Sequence, residues 1–262
     1  YKRQYADRAA KAPELTAASG RDGALNAYKS TDNSRVILAL SAIGRDAAQV
    51  GGCDLTAPYA DFAWGSNQGI NGPIFALLAL DSRNYLPGSA VRRQCVDAIL
   101  SAECSGGGWA FGGSAADPDM TAMALQALAP YYNEGGDATV NTAVGKALQW
   151  LSAKYKGKGY TSAESCAQVV VALSALQLNA NSDSSFVKTV DGAPTSVLGD
   201  LLRYYLGEGQ GFKHAASLKT ADQKATEQAL YAMAAYERYC RRTNALYDIC
   251  LLYTSPSPRD RG

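Results

Sequence analysis

A short pattern, Ala-Leu-x-Ala followed by an aliphatic residue, recurs down the chain and constrains its fold more than any other feature. Four copies are nearly intact: Ala39-Leu40-Ser41-Ala42-Ile43, Ala124-Leu125-Gln126-Ala127-Leu128, Ala172-Leu173-Ser174-Ala175-Leu176 and Ala229-Leu230-Tyr231-Ala232-Met233. Ala76-Leu77-Leu78-Ala79-Leu80 is a close fifth. They stand roughly 37 to 57 residues apart, the range of stacked supersecondary units. Small and aliphatic residues on every side describe a buried helix rather than an amphipathic surface one. Between the copies run Ala90 to Ala102, Thr139 to Ala153 and Thr195 to Leu206, where apolar residues recur at helical spacing among polar ones. Inner helices thus alternate with outer ones, without a convincing strand. The expected fold class is all-α, as an open solenoid or a closed ring of helical hairpins.

A glycine-rich turn ending in an aromatic follows each of these outer segments. It appears at Gly106-Gly107-Gly108-Trp109-Ala110-Phe111, at Gly157-Lys158-Gly159-Tyr160 and at Gly207-Glu208-Gly209-Gln210-Gly211-Phe212. Glycine permits the left-handed dihedrals of a tight reversal, and the aromatic can cover the neighbouring helix end, so each turn is expected to clamp one unit to the next.

A helix, a Gly-Gly-aromatic turn and an acidic start to Thr-Ala-x-Ala-Leu together resemble the repeat of prenyltransferases and squalene cyclases, best seen in Asp117-Pro118-Asp119-Met120-Thr121-Ala122-Met123-Ala124-Leu125. The segments Asn33 to Gly44, Gln68 to Asp81, Glu164 to Leu178 and Ala225 to Arg238 look like repeat-bearing surface proteins of gut Firmicutes. The likeness runs from about Ser30 to Ile249. It implies an α/α toroid, whole or incomplete, spanning 1–249, with inner helices lining a cavity and outer helices covering them. It also implies a secreted or cell-surface location, and small molecules or other domains of the same chain as partners.

Lys+Arg of 25 against Asp+Glu of 24 leaves a net charge of +1. With no basic run to follow phosphates, nucleic acid is not an expected partner. The apolar runs around Pro73 to Leu80 and Val169 to Leu176 are far shorter than the roughly 20 residues of a membrane-spanning helix. A chain opening on Tyr1 rather than Met is expected to be a piece of a longer one. The end, 250–262, with Pro256 and Pro258 and none of the Ala-Leu periodicity, resembles a translated sequencing adapter and is set apart as non-native or disordered. The six cysteines include no Cys-x-x-Cys pair and His214 is the sole histidine, so mostly free thiols and no structural zinc are expected.

Triterpene cyclases place a protonated aspartic acid in Asp-x-Asp-Asp-Thr-Ala. Here Asp119 matches that acid, but Met120 replaces the neighbouring carboxylate. Capping of the inner helix by Asp119 or Asp117 is the simpler expectation. The resemblance to protein prenyltransferases lacks their zinc ligands: Asp119 has no cysteine two residues on, and 221–226 contains no histidine. The thioester motif of related complement domains is absent, because Cys166 is followed by Ala167-Gln168.

Binding remains. In a toroid the N-termini of inner helices gather at one end, so Asn71, Asp119, Thr121, Glu164, Gln168, Glu227 and Gln228 are expected to ring a cavity mouth. The expected function is a non-catalytic ligand-binding or interaction module, without a metal or catalytic cofactor, although a cobalamin-like ligand fits the related carriers. The alternative is a terpene-cyclase-like or prenyltransferase-like enzyme with Asp119 as general acid.

Overall fold

Each of the five Ala-Leu-x-Ala runs becomes the body of a helix. The computed structural model describes residues 2–133 and 137–249, and the suspect end, 250–262, lies outside the described residues. The chain divides into two units, Tyr1–Ala102 with Tyr247–Gly262, and Glu103–Leu246.

The first unit holds α1 (Lys2–Ala10), α2 (Ala12–Ser19), α3 (Ser30–Ala42), α4 (Phe62–Gly65), α5 (Asn71–Asp81) and α6 (Val91–Ser101). Two repeat copies, on α3 and α5, pack together, and α6 covers α5. From Gly72 to Leu80 only Phe75 escapes full burial, as an all-apolar helix requires. By contrast α6 buries just Val91, Cys95, Val96 and Ile99, one stripe of an amphipathic helix. Burying each such Val or Ile stabilises the unit by about 1.5–3 kcal/mol. Arg92 of α6 closes the end of α5. It pairs with Asp81 at 2.6 Å and donates to the carbonyls of Leu80 and Tyr85 at 2.9 and 2.7 Å, the former also accepting from Tyr85 N at 2.8 Å, which ties the end of α5 to the turn that follows it.

In the second unit lie α7 (Pro118–Leu128), α8 (Ala138–Lys154), α9 (Ala163–Ala175), strands β1 (Val187–Val190) and β2 (Ala193–Ser196), α10 (Val197–Leu202) and α11 (Gln223–Cys240). Helix α9 packs against both α7 and α11, with α8 behind α7 and α10 behind α9. Twelve residues of α9, Ala163 to Ser174, are buried. Helices α5, α7 and α9 take the buried role that the periodicity predicts, whereas α11 buries only Ala225, Ala229, Ala232 and Ala235 and the repeat run of α3 leaves Ala42 and Ile43 exposed; the molecule is predominantly helical.

The expectation of a strand-free chain is corrected by the hairpin. Val187-Lys188-Thr189-Val190 is β-branched, and the next two residues, Asp191-Gly192, adopt φ of 47° and 84°, the left-handed pair of a tight two-residue hairpin turn. Thr195 and Ser196 therefore belong to β2, and the outer helix expected over Thr195 to Leu206 shrinks to Val197–Leu202, capped by Ser196 Oγ accepting from Gly199 N at 2.9 Å.

No described helix is long and apolar enough to cross a membrane. Cys53, Cys95, Cys104, Cys166 and Cys240 are free thiols, and Cys250 lies outside the described residues.

Candidate ligand-binding site

The site is set by how α7, α9 and α11 begin. Asp117, Ser162 and Asp222 are their N-caps, each accepting from the backbone N–H three residues on, at 2.9, 3.1 and 2.8 Å. Four residues after each cap comes the residue that grips the preceding glycine turn. On α7, Thr121 Oγ1 accepts from Trp109 N at 3.0 Å and donates back to Trp109 O at 3.3 Å. On α11, Thr226 repeats this with Phe212 at 2.9 and 3.3 Å. A Cβ on Gly108 or Gly211 would lie 2.7 or 2.6 Å from the threonine hydroxyl, so both turns need glycine for space.

On α9 the threonine position is Cys166, and a different group does the work. Asp200 of α10 is 1% exposed, accepts from the Cys166 thiol at 3.4 Å and pairs with Arg203 at 3.1 Å. Its carboxylate fills the space beside Gly159, where a Cβ would meet Oδ2 at 2.0 Å. Burial pushes the Asp200 carboxyl above its ordinary value, against the pull of the Cys166 thiol, Arg203 and the Tyr160 backbone. Burial also raises the Cys166 thiol well above its ordinary value, leaving a core thiol rather than a nucleophile.

With the caps aligned, the second, sixth and ninth residues of α7, α9 and α11 share one face, because those spacings bring side chains back within about 60° of one another. Asp119, Met123 and Gln126 occupy these positions on α7, Glu164, Gln168 and Val171 on α9, and Lys224, Gln228 and Tyr231 on α11. Side-chain amides join the three helices. Gln126 Nε2 donates to the Gln168 carbonyl at 3.0 Å and to its Oε1 at 2.9 Å, and Gln168 Nε2 donates to Gln228 Oε1 at 3.1 Å and to the Tyr231 hydroxyl. Gln126 and Gln168 are 4% and 5% exposed, whereas Gln228 and Tyr231 are half-buried.

At the helix starts, Ser165 Oγ donates to Asp119 Oδ1 at 2.5 Å and itself accepts from Ser162 Oγ at 2.8 Å. Capping of α7 therefore falls to Asp117, and Asp119 instead reaches across to α9. Burial pushes the Asp119 carboxyl above its ordinary value; the Ser165 hydroxyl pulls it back, Asp117 pushes it up, Lys224 draws it down and Glu164 pushes it up. Glu164, 4% exposed, holds His214 Nδ1 at 2.7 and 2.9 Å from its two oxygens, and the backbone carbonyl of His214 accepts from Ala163 N at 3.0 Å. The sole histidine, in the exposed loop after Phe212, is thus tied to the start of α9.

Of the seven expected site residues, Asp119, Glu164, Gln168 and Gln228 fall on this shared face. Thr121 is fully buried on the far side of α7, committed to the Trp109 turn. Glu227, at the edge of the face beside Lys224 and Tyr231, accepts from Gln223 at 3.1 Å. Asn71 begins α5 in the first unit, where it is half-buried. Gln126, Tyr231 and His214 were missed; the helical spacing of 119, 123 and 126 could have exposed the first. Among the described residues no group of three or more His, Cys, Asp or Glu side chains could hold a metal ion. No protein-family model matches the chain, and neither a curated protein nor a solved structure matches it.

Proposed function

We propose that this chain is a non-catalytic ligand-binding module of a secreted or cell-surface bacterial protein, built as an α/α toroid, and that the polar face of α7, α9 and α11 holds a small molecule. The reading is carried by the amide bridge from Gln126 through Gln168 to Gln228, at matching positions of three successive inner helices. Such a bridge is a poor way to gain stability. A buried hydrogen bond contributes only about 0.5–1.5 kcal/mol net, and an unmatched amide costs about 1–3 kcal/mol, so aliphatic residues would pack these helices as well. Polar groups kept at such positions, with half-buried Gln228, Tyr231 and Asp119 at the margin, suit recognition.

The test is a thermal-shift screen of a diverse small-molecule library against the wild-type protein and Gln228→Ala. A molecule bound by the native state alone raises Tm with concentration. Hits on the wild type that disappear in Gln228→Ala support the module; hits on neither protein end the reading.

The raised Asp119 carboxyl favours a second reading, a cyclase-like or prenyltransferase-like enzyme in which it delivers a proton. Wild type and Asp119→Asn incubated with squalene and prenyl diphosphates decide it. Cyclised or transferred products from the wild type that vanish in the variant would establish the enzyme and displace the binding module.

A further inference from the structure

We infer that the ligand of this face is a neutral polyhydroxylated molecule of the mono- or oligosaccharide class, an inference that rests on the binding reading above. The unused hydrogen-bonding capacity of the face points there. Among the described residues, Asp119 Oδ2 and Gln126 Oε1 remain as acceptors without a partner, and Gln228 Nε2 remains as a donor. Exposed Lys224 adds an ammonium at the start of α11, and His214, half exposed, keeps Nε2 free while Glu164 holds Nδ1. A hydroxyl group both donates and accepts, so a run of hydroxyls can use acceptors and donors interleaved on one surface. A ligand of one polarity uses only half of them.

Charge narrows the class further. Asp119 and Glu164 lie together at the start of the face, so a phosphate or diphosphate would be held against two carboxylates. Lys224 is the counterpart on α11 and stands against an ammonium ligand. Both signs being present, a neutral molecule avoids either repulsion. Met123 and Tyr231, half-buried beside the amides, offer the apolar surface that a sugar ring's C–H face needs.

Saturation-transfer NMR on the full chain tests the assignment with a panel of neutral mono- and disaccharides, each beside its amino and phosphate counterparts. The expected result is saturable transfer from neutral members, at least tenfold weaker binding of the phosphates, and about tenfold loss in Gln228→Ala. Exposed Gln223→Ala, outside the face, keeps wild-type binding. Tighter binding of phosphates or amines overturns the neutral class. A silent sugar panel alongside Gln228-dependent hits in the library screen overturns the sugar and leaves the module standing. Silence in both ends both.

Discussion

Two glycines of one turn show how sharply a single side chain can matter. Gly157 and Gly159 both have left-handed backbones, φ 63° and 71°, yet a Cβ at Gly157 meets nothing within 4 Å while one at Gly159 meets the Asp200 carboxylate at 2.0 Å. Gly157→Ala should cost only the backbone term, about 1–2 kcal/mol. Gly159→Ala must also displace a buried charged group, so a loss of about 3 kcal/mol or more is expected in urea unfolding. Equal losses in the two variants would rule out this role for Asp200. Asp119 offers a test with a sign. Burial raises its folded-state pKa above the ordinary 3.8, so the native protein holds the proton more tightly than the unfolded chain. The resulting stabilisation is complete below 3.8 and is lost as pH rises through the folded pKa. Asp119→Asn should remove that dependence and raise stability at neutral pH by about 1 kcal/mol or less, since the amide oxygen still accepts from Ser165. Stability curves of the two proteins that run parallel from pH 3 to 8 would contradict it.

At the scale of the element, α7 and α11 are each joined to the turn before them through the threonine four positions past the cap. Thr121→Val preserves shape but removes the hydroxyl that accepts from Trp109 N and donates to Trp109 O, and a loss of about 1–3 kcal/mol is expected. Gln168→Leu should cost about 1–2 kcal/mol, because Gln126 keeps the 168 backbone carbonyl while Gln228 and Tyr231 can turn to water. A larger loss than for Thr121→Val would show that the amide bridge is chiefly structural and weaken the binding reading. The buried helices α5, α7 and α9 were legible from their apolar Ala-Leu-x-Ala runs, though the same run leaves Ile43 after α3 and Leu230 on α11 exposed, and α6 and α8 were legible from their stripes. The hairpin was legible too, in the Asp191-Gly192 pair after four strand-forming residues, but helical spacing in the flanking segment masked it. The clamps were not. Asp200 stands 34 residues from Cys166, and no local pattern says that a carboxylate will replace a threonine hydroxyl. Half of the site was readable from cap-relative position; the amide bridge needed the helices side by side, which only packing supplies.

For the molecule as a whole, no group of three or more His, Cys, Asp or Glu side chains among the described residues is placed to hold a metal ion. Micromolar zinc should leave Tm unchanged, since only a ligand that prefers the native state stabilises it; a rise of several degrees would reveal a site that the described residues do not show. Repeat architectures are commonly treated as strings of interchangeable modules. The turn before α9 sets a limit to that freedom. Its lock is cut for a carboxylate arriving from α10, while its neighbours before α7 and α11 are cut for a hydroxyl from their own helix. Swapping Cys166 for threonine alone leaves two groups competing for one space beside Gly159, and removing Asp200 alone leaves a hole lined by Arg203, Cys166 and the Tyr160 amide. The two positions are therefore bound to change together, and a shuffled chain that inherits one without the other carries a mismatch at its most buried helix.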